Sequence, residues 1–441
     1  MLGYEKEQRS LNKEQKQALG LLSVGTFLEY FDLMLYVHLA VLLNGLFFPD
    51  SDPYTTSLLT AFSFCSTFIF RPIGALAFGW IGDNIGRKTT VIITTFLMAT
   101  SCLMMSVLPT YADFGLTAAV LFTICRIIQG MASMGERVGA ELYLTEITSP
   151  PIQYPVVSLI AGFGTFGTSA ALGIASLVLS VGINWRIIFI IGAAVALVGS
   201  AARTRLRETP EFVDAKRRLQ EAMIDADKDP KILENNPVWN EKVNKKTALS
   251  LFLLNCAWPI CFYFVYVHCN SILKNSFGYN SEQVINHNFI VSLIELAKFF
   301  VIVYLSYKIH PIKILRVVST IFLIFVLVCP YLLVSWVKTP LNLLFIQSFL
   351  VIFAPGVTPA MAIFFKHLPI FKRFTYSTFM YATARALTYA ITSFGMIYLI
   401  KLYDHWGLLF VMLPIAIGYI FGVNHFKKLE IEVGNYPRKG W

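Results

Sequence analysis

Two carboxylates inside one long apolar stretch are the residues of this sequence best suited to acid–base chemistry. Glu29 and Asp32 share one helical face with Gly25 and Tyr36, because all four follow helical spacing. An ionised carboxylate is costly away from water, so it must be protonated or paired with a cation. A group balanced between these states can take up and release a proton. The alternative is a static buried pair whose charges are permanently satisfied.

An arginine inside another apolar stretch is predicted to pair with one of these carboxylates. Arg126 needs a carboxylate or an anionic ligand, because an unpaired guanidinium is strongly disfavoured there. We expect Asp32 to be its partner, with Glu29 as the second choice. Such a contact either couples a proton to a conformational change or only pins two helices together, and the two roles are compatible. The residues that share its helical face are Gln129, Gly130, Ser133 and Arg137.

A second arginine lies among hydroxyl groups and is a candidate ligand for a carboxylate. Arg385 has no acidic residue in its own stretch, and a guanidinium binds a carboxylate through two parallel hydrogen bonds. The alternative is an ion pair with Glu295. The residues on its helical face are Thr378, Tyr381, Thr388 and Thr392. We expect the binding site to be completed by the aromatic residues Tyr30, Tyr36 and Tyr381.

Glu295 and Lys298 are a third charged group within an apolar stretch. Their spacing of three residues allows a mutual salt bridge on one helix. The two side chains then neutralise each other, or else they contribute to the same substrate site as Arg385. Both residues are kept as candidate substrate-binding residues.

A compact charged turn, GWIGDNIGRK at residues 79–88, separates two further apolar stretches. The connection is too short to form a domain, so its charged side chains are expected at a membrane surface. A loop in the equivalent place later in the chain, LSYKIHPIKIL at residues 305–315, keeps basic residues but has no Asp or Gly.

Apolar stretches long enough to cross a bilayer position all of these residues. Hydrophobic residues make up 56% of the 441 residues and charged residues only 14%, against about 25% charged in soluble domains. A spanning helix needs about 20 apolar residues. Helices are expected rather than barrel strands, because the stretches do not alternate. We predict about twelve spans, near residues 18–47, 56–81, 89–108, 114–145, 156–180, 185–204, 248–273, 286–307, 313–335, 341–365, 374–400 and 406–425.

The net charge of +10 is a topological signal rather than a nucleic-acid footprint. Basic residues concentrate in alternate loops, including the N-terminal segment, the turn at 87–88 and the segment 203–246. By the positive-inside rule this places both termini in the cytoplasm of a multi-pass membrane protein. An even number of spans follows, in agreement with twelve. No nucleic-acid partner is expected.

One long polar stretch divides the spans six and six. We predict an N-terminal six-helix bundle at 1–205, a cytoplasmic linker at 206–247, and a C-terminal six-helix bundle with a short tail at 248–441. Two related six-helix halves are typical of transporters built from repeats.

Enzymatic chemistry has no support in the sequence. We find no nucleophile elbow, phosphate-binding loop or zinc-binding helix motif. The seven cysteines all fall within apolar stretches and form no metal-ligand or disulfide pattern. No metal or cofactor is expected, and ATP-driven transport is not indicated.

Several motifs resemble those of the major facilitator superfamily. The turn GWIGDNIGRK is similar to its loop signature after the second helix, and RIIQG at 126–130 to its fourth-helix signature. FLEYFDLMLY at 27–36, GERVGAELYLTEITSP at 135–150 and RLRETPEF at 205–212 resemble the metabolite:proton symporter family more narrowly. That family includes carriers of proline and betaine, α-ketoglutarate, citrate and shikimate, and the proline/betaine transporters are the most similar.

The resemblance implies an all-α membrane protein with twelve helices in two pseudo-symmetric bundles, a central cavity and alternating access. It also implies a cell inner membrane location and the proton gradient as the energy source. By this analogy the proton-coupling residues are Glu29, Asp32 and Arg126. The residues implied for a gate on the cytoplasmic side are Gly79, Asp83, Gly86, Arg87 and Lys88.

Together these observations predict proton-coupled symport of a small carboxylate-bearing solute, either a zwitterion such as proline or betaine or an organic acid. A monomer is expected, with the bilayer, the solute and protons as its partners. Two alternatives stay open. The first is a proton-independent facilitator or exchanger of the same solutes, and the second is a transporter-like scaffold that acts as a sensor or assembly protein.

Overall fold

The structure is a computed structural model that describes residues 7–48, 65–181, 184–204, 206–226 and 242–437. Within these ranges the chain is almost entirely helical and contains no β-strand beyond one isolated bridge between Gln8 and Pro151. The expectation of an all-α protein is confirmed.

Twelve long helices are described, and we number them α1 to α12. The first six are α1 Lys13–Phe47, α2 Arg71–Asn84, α3 Arg87–Val107, α4 Leu116–Ile147, α5 Gln153–Val181 and α6 Trp185–Arg203. The other six are α7 Lys245–Tyr263, α8 Ser281–Lys308, α9 Pro311–Ser335, α10 Pro340–Phe353, α11 Arg373–Ala390 and α12 Leu409–Glu432. A further amphipathic segment, the linker helix, is Pro210–Ala226.

The outer surface of the helix bundle is apolar. Among the described residues, nine helices are long and apolar enough to cross a membrane. Large hydrophobic side chains such as Phe96, Ile324 and Phe410 are more than half exposed on the outside. Such a surface is stable in lipid and not in water. The chain is therefore a multi-pass membrane protein.

Three helices of the second half are irregular. A π-helical turn, Phe264–His268, follows α7, and another, Ile391–Gly395, follows α11. Helix α10 ends at Phe353 and helical structure resumes only at Thr358–Ala360 and Met361–Lys366. Such interruptions free backbone groups from helical hydrogen bonds and are frequent at functional sites.

The two sets of six helices meet along two seams. Helix α5 lies between α1 and α8, and α2 packs along α11. The second seam is very close: a Cβ atom on Gly79 would lie 2.7 Å from Cα of Thr375. Only glycine allows the two helix backbones to approach so closely.

We call the face where α1 begins and α12 ends the terminal face. The turn between α2 and α3, the end of α4 and the linker helix lie there too. For example, Arg207 pairs with Glu14 at 3.1 Å, and the backbone N–H of Gln8 donates to the carbonyl of Pro150 at 2.9 Å.

Candidate functional site

A central cavity lies between the two sets of helices. It is lined by side chains of both, and five of the predicted substrate-binding residues are among them. Those five are Tyr30, Glu295, Lys298, Tyr381 and Arg385. The sixth, Tyr36, has a side chain outside the described part of the structure.

Arg137 connects the two halves at one end of this cavity. Its guanidinium donates to the hydroxyl of Tyr30 on α1 and, at 3.1 Å, to that of Tyr381 on α11. The two hydroxyls are 3.2 Å apart. On its own helix Arg137 pairs with Glu141 at 3.1 Å. This buried cation therefore links α1, α4 and α11, which belong to both halves.

Arg385 is buried and stacks on an aromatic ring. Its guanidinium carbon lies 4.4 Å from the centre of the Tyr381 ring. The Nε atom has no hydrogen-bond partner among the described residues. The alternative ion pair with Glu295 is not formed, and Glu295 accepts the hydroxyl of Tyr266 instead. A cation in this state can accept a carboxylate as an additional partner.

Of the two alternatives for Glu295 and Lys298, the mutual salt bridge is not formed. The hydroxyl of Tyr266 donates to Glu295 at 3.3 Å, and Nζ of Lys298 donates to the carbonyl of Val351 at 3.0 Å. The spacing of three residues on one helix allows the pair. The carbonyl of Val351 lies near the end of α10, where it has no helical partner, and it competes with Glu295 for the ammonium group of Lys298.

Glu29 is fully buried and neither of its carboxylate oxygens has a hydrogen-bond partner among the described residues. The cations that act on it most strongly are Arg71, then Arg137 and Arg385. Arg126 is not among them and instead donates to Gln129 at 2.8 Å. The second-choice pairing of Arg126 with Glu29 is therefore not formed. The side chain of Asp32, the first choice, lies outside the described residues.

Below the cavity, the charged turn closes the terminal face. Asp83 accepts the backbone N–H of Phe374 at 3.1 Å and that of Thr375 at 2.8 Å, in the first turn of α11. These N–H groups have no helical partner, and a helix N-terminus favours negative charge. Arg87 lies 3.5 Å from the same carboxylate.

Arg87 also belongs to a buried ion network. It pairs with Glu146 at 3.1 Å, and Glu146 pairs with Arg373 at 3.3 Å. Arg373 in turn pairs with Glu211 of the linker helix at 3.0 Å. The network joins the start of α3, the end of α4, the linker helix and the start of α11.

The remaining predicted gate residues lie at the same place, where the start of α3 meets the segment that precedes the linker helix. Glu208 accepts the backbone N–H groups of Arg87 at 3.0 Å and Lys88 at 3.3 Å, and so caps the start of α3. A Cβ atom on Gly86 would collide with this carboxylate. Lys88 thus takes part in this contact through its backbone N–H group.

Sequence reasoning did not single out several residues of these sites. Arg137 was placed on the helical face of Arg126 and lies within the family motif at 135–150, but no role was assigned to it. Glu146 lies within a family motif at 135–150, and this was the only signal for it. Glu208 lies within the family motif at 205–212, whereas Arg373 lies in no quoted motif, and no local pattern marks the contacts of either residue.

Comparison with known families decides what this architecture is. The model of the Major Facilitator Superfamily matches residues 22–387. The chain is a major facilitator. It thereby belongs to a family of transporters rather than of enzymes.

Curated proteins similar to this major facilitator are bacterial transporters. A putative metabolite transport protein of Haemophilus influenzae is 36% identical over 218 residues, covering 47% of this chain and 49% of that protein. The inner membrane metabolite transport protein YhjE of Escherichia coli is 34% identical over 222 residues, covering 48% and 50%. The proline/betaine transporter of Escherichia coli is 28% identical over 284 residues, covering 61% and 55%. The chain spans about half the length of the curated relatives it matches.

Solved structures share the fold of this major facilitator at low sequence identity. The proton:xylose symporter XylE, bound to 6-bromo-6-deoxy-D-glucose, has a TM-score of 0.76 at 14% identity, covering 94% of this chain and 95% of that one. The human organic anion transporter MFSD10 has a TM-score of 0.66 at 14% identity, with coverage of 94% and 100%. The expected fold class is confirmed.

Proposed function

We propose that this major facilitator carries a small carboxylate-bearing solute together with protons, by alternating access. The observation that carries the proposal is the state of Arg385. It is buried, lies in the central cavity, and forms no ion pair with Glu295, the carboxylate that the sequence offered as its partner. A solute carboxylate would complete its hydrogen bonding.

Aromatic side chains around the cavity support a zwitterionic solute. Trp258, Phe262 and Tyr266 line the same cavity as Arg385 and Tyr381. Aromatic faces attract cationic and quaternary ammonium groups. A proline- or betaine-type zwitterion would place its carboxylate on Arg385 and its ammonium group against these rings. An organic acid would use Arg385 with Lys298 instead.

Glu29 is our candidate for the coupled proton. Its carboxylate lacks hydrogen-bond donors yet lies within reach of the charges of Arg71, Arg137 and Arg385. Protonation removes its attraction for those cations, and a solute carboxylate bound to Arg385 competes for one of them. Proton and solute are thereby linked through a shared cation. Asp32 and Arg126 remain proposed members of the same coupling group.

We propose that the terminal face is cytoplasmic and that the protein acts as a monomer in the cell inner membrane. The basic residues of the sequence favour this orientation by the positive-inside rule. In that orientation the Asp83 and Glu146 contacts close the cytoplasmic side. Release of solute to the cytoplasm then requires these contacts to break.

The test is uptake by purified protein in proteoliposomes, with a panel of zwitterions, dicarboxylates and tricarboxylates and an imposed proton gradient. We expect accumulation of one class, abolished by a protonophore. The variant Arg385→Lys keeps the charge but loses the two-pronged geometry, and should weaken apparent affinity by about ten-fold. Exchange that ignores the gradient would favour the facilitator instead. Absence of transport across the whole panel would favour the sensor or scaffold.

A further inference from the structure

A second cavity lies outside the transport path, as a cleft between α8 and α9 that faces the surrounding membrane. It has a volume of about 830 Å³, within the range of about 300–1,000 Å³ typical of small-molecule sites. Its walls are apolar side chains such as Ile294, Val301 and Val317, together with Ile352 and Phe353 at the end of α10. The two helices are consecutive in the chain but make few contacts with each other.

Basic side chains stand at the terminal-face end of this cleft. Lys313 and Arg316 both line it and lie three residues apart, on one face of the first turns of α9. Lys313 is partly buried and Arg316 is exposed. Among the described residues neither side chain forms an ion pair with a carboxylate.

Little negative charge is available to these cations. The sequence contains no Asp or Glu between Glu295 and Asp404. The carboxylate at this end of α12, Glu430, is already engaged by His367 at 2.8 Å and lies 3.5 Å from His310. The ring of Tyr436, which also lines the cleft, covers His310 at 5.2 Å between ring centres.

We propose that this cleft binds a glycerophospholipid with an anionic headgroup from the membrane leaflet at the terminal face. The apolar walls fit an acyl chain, and Lys313 with Arg316 fit the headgroup phosphate at the level of the membrane surface. Basic pockets between membrane helices recognise anionic lipids in this way. A zwitterionic lipid would fill the same walls but would gain less from the two cations.

The bound chain lies against the wall of the central cavity. The residues that line both the cleft and the cavity are Lys298, Ile302, Ile314, Val318 and Ile352. Only these side chains separate the lipid from the solute site, so the lipid supports one side of that site. The binding proposal itself depends on no particular solute or proton coupling.

The test is lipid binding to purified, delipidated full-length protein, measured by native mass spectrometry with phosphatidylglycerol and phosphatidylcholine of equal chain length. We expect preferential binding of phosphatidylglycerol. The double variant Lys313→Gln/Arg316→Gln should weaken that binding by about ten-fold and remove the preference. The matched control Lys13→Gln/Lys16→Gln removes two exposed cations of the terminal face that do not line the cleft, and should bind as the wild type does.

A second variant tests the apolar part of the site. Ala297→Trp keeps both cations but fills the cleft, and should weaken binding of both lipids. Equal binding of the two lipids by the wild type would overturn the proposal. So would an equal loss in the Lys13 and Lys16 control, which would indicate diffuse surface attraction. Thermal stabilisation by inorganic phosphate equal to that by phosphatidylglycerol would also overturn it, because it would indicate a site for free anions.

Discussion

Asp83 accepts the backbone N–H of Thr375 at 2.8 Å, across 292 positions of sequence. A carboxylate of α2 thus holds the N-terminus of α11, and the terminal face cannot open at this seam while the bond persists. The contact stabilises one conformation of the transporter and touches no residue of the central cavity. Its role is expected in the rate of conformational change rather than in solute binding.

The first prediction concerns this contact. Asp83→Ala removes a charge-assisted acceptor worth about 1.5–3 kcal/mol that stabilises the state closed at the terminal face. The return to that state should therefore slow and limit turnover about ten-fold, while apparent affinity changes little. Initial-rate uptake measurements separate the two. The control Asn84→Ala alters the neighbouring residue, whose side chain bonds only to Trp80 of its own helix, and should transport normally. A large loss of affinity with unchanged maximal rate would contradict the gate assignment.

The second prediction concerns the buried ion network. Glu146→Gln leaves the guanidiniums of Arg87 and Arg373 without their shared carboxylate, at a cost of about 3 kcal/mol or more. The apparent melting temperature in detergent should fall clearly. Glu211→Gln removes a carboxylate that is 40% exposed, so it should change stability by less than about 1 kcal/mol. Equal melting temperatures for the two variants would contradict the network's importance.

The third prediction concerns proton coupling. Glu29→Gln keeps the side-chain shape but cannot release a proton, so accumulation driven by a proton gradient should be lost while solute exchange persists. We expect the same from Asp32→Asn. Counterflow and gradient-driven uptake in proteoliposomes distinguish the two activities. Glu282→Gln, at the exposed start of α8, is the control and should accumulate solute normally. Wild-type accumulation by both site variants would rule out the coupling assignment.

The fourth prediction concerns the close crossing of α2 and α11. Gly79→Ala places a methyl group 2.7 Å from Cα of Thr375, so the helices must separate, at a cost of about 1–3 kcal/mol. Both thermal stability and turnover should fall. Gly192→Ala, on α6, meets no atom within 4 Å and should leave stability unchanged or slightly raised. Equal stability of the two variants would show that the crossing tolerates a wider spacing.

Sequence patterns predicted the long helices of this protein well, because a helix that crosses a membrane needs about 20 consecutive apolar residues. The stretch predicted at 313–335 is α9, Pro311–Ser335, and the stretch predicted at 114–145 is α4, Leu116–Ile147. The interruption after Phe353 was missed inside a stretch predicted at 341–365. Hydrophobicity predicts which residues lie within the membrane, but it does not depend on the backbone hydrogen bonding there. An interruption of a helix within an apolar stretch is therefore not visible in the hydrophobicity pattern.

The candidate site was only partly predictable. Ionisable side chains avoid lipid, so the charged faces of α8 and α11 had to point inward, and Glu295, Lys298 and Arg385 do share one cavity. Their partners were not predictable, since spacing along one helix says nothing about competing groups on another. The carbonyl of Val351 on α10, which accepts from Lys298 of α8, is such a group. The roles of these residues in transport stay predictions.

The break in α10 has a mechanical consequence. Carbonyl groups around it are held by side chains of three other helices: Val351 by Lys298 of α8, Gly356 by Tyr419 of α12, and Thr358 by Ser158 of α5. A continuous helix would transmit a tilt at one membrane surface rigidly to the other. An interrupted one is a joint, and its two pieces can tilt separately. Under the proposed alternating access, such a joint would let one end of the solute pathway open while the other stays sealed, without unwinding any helix.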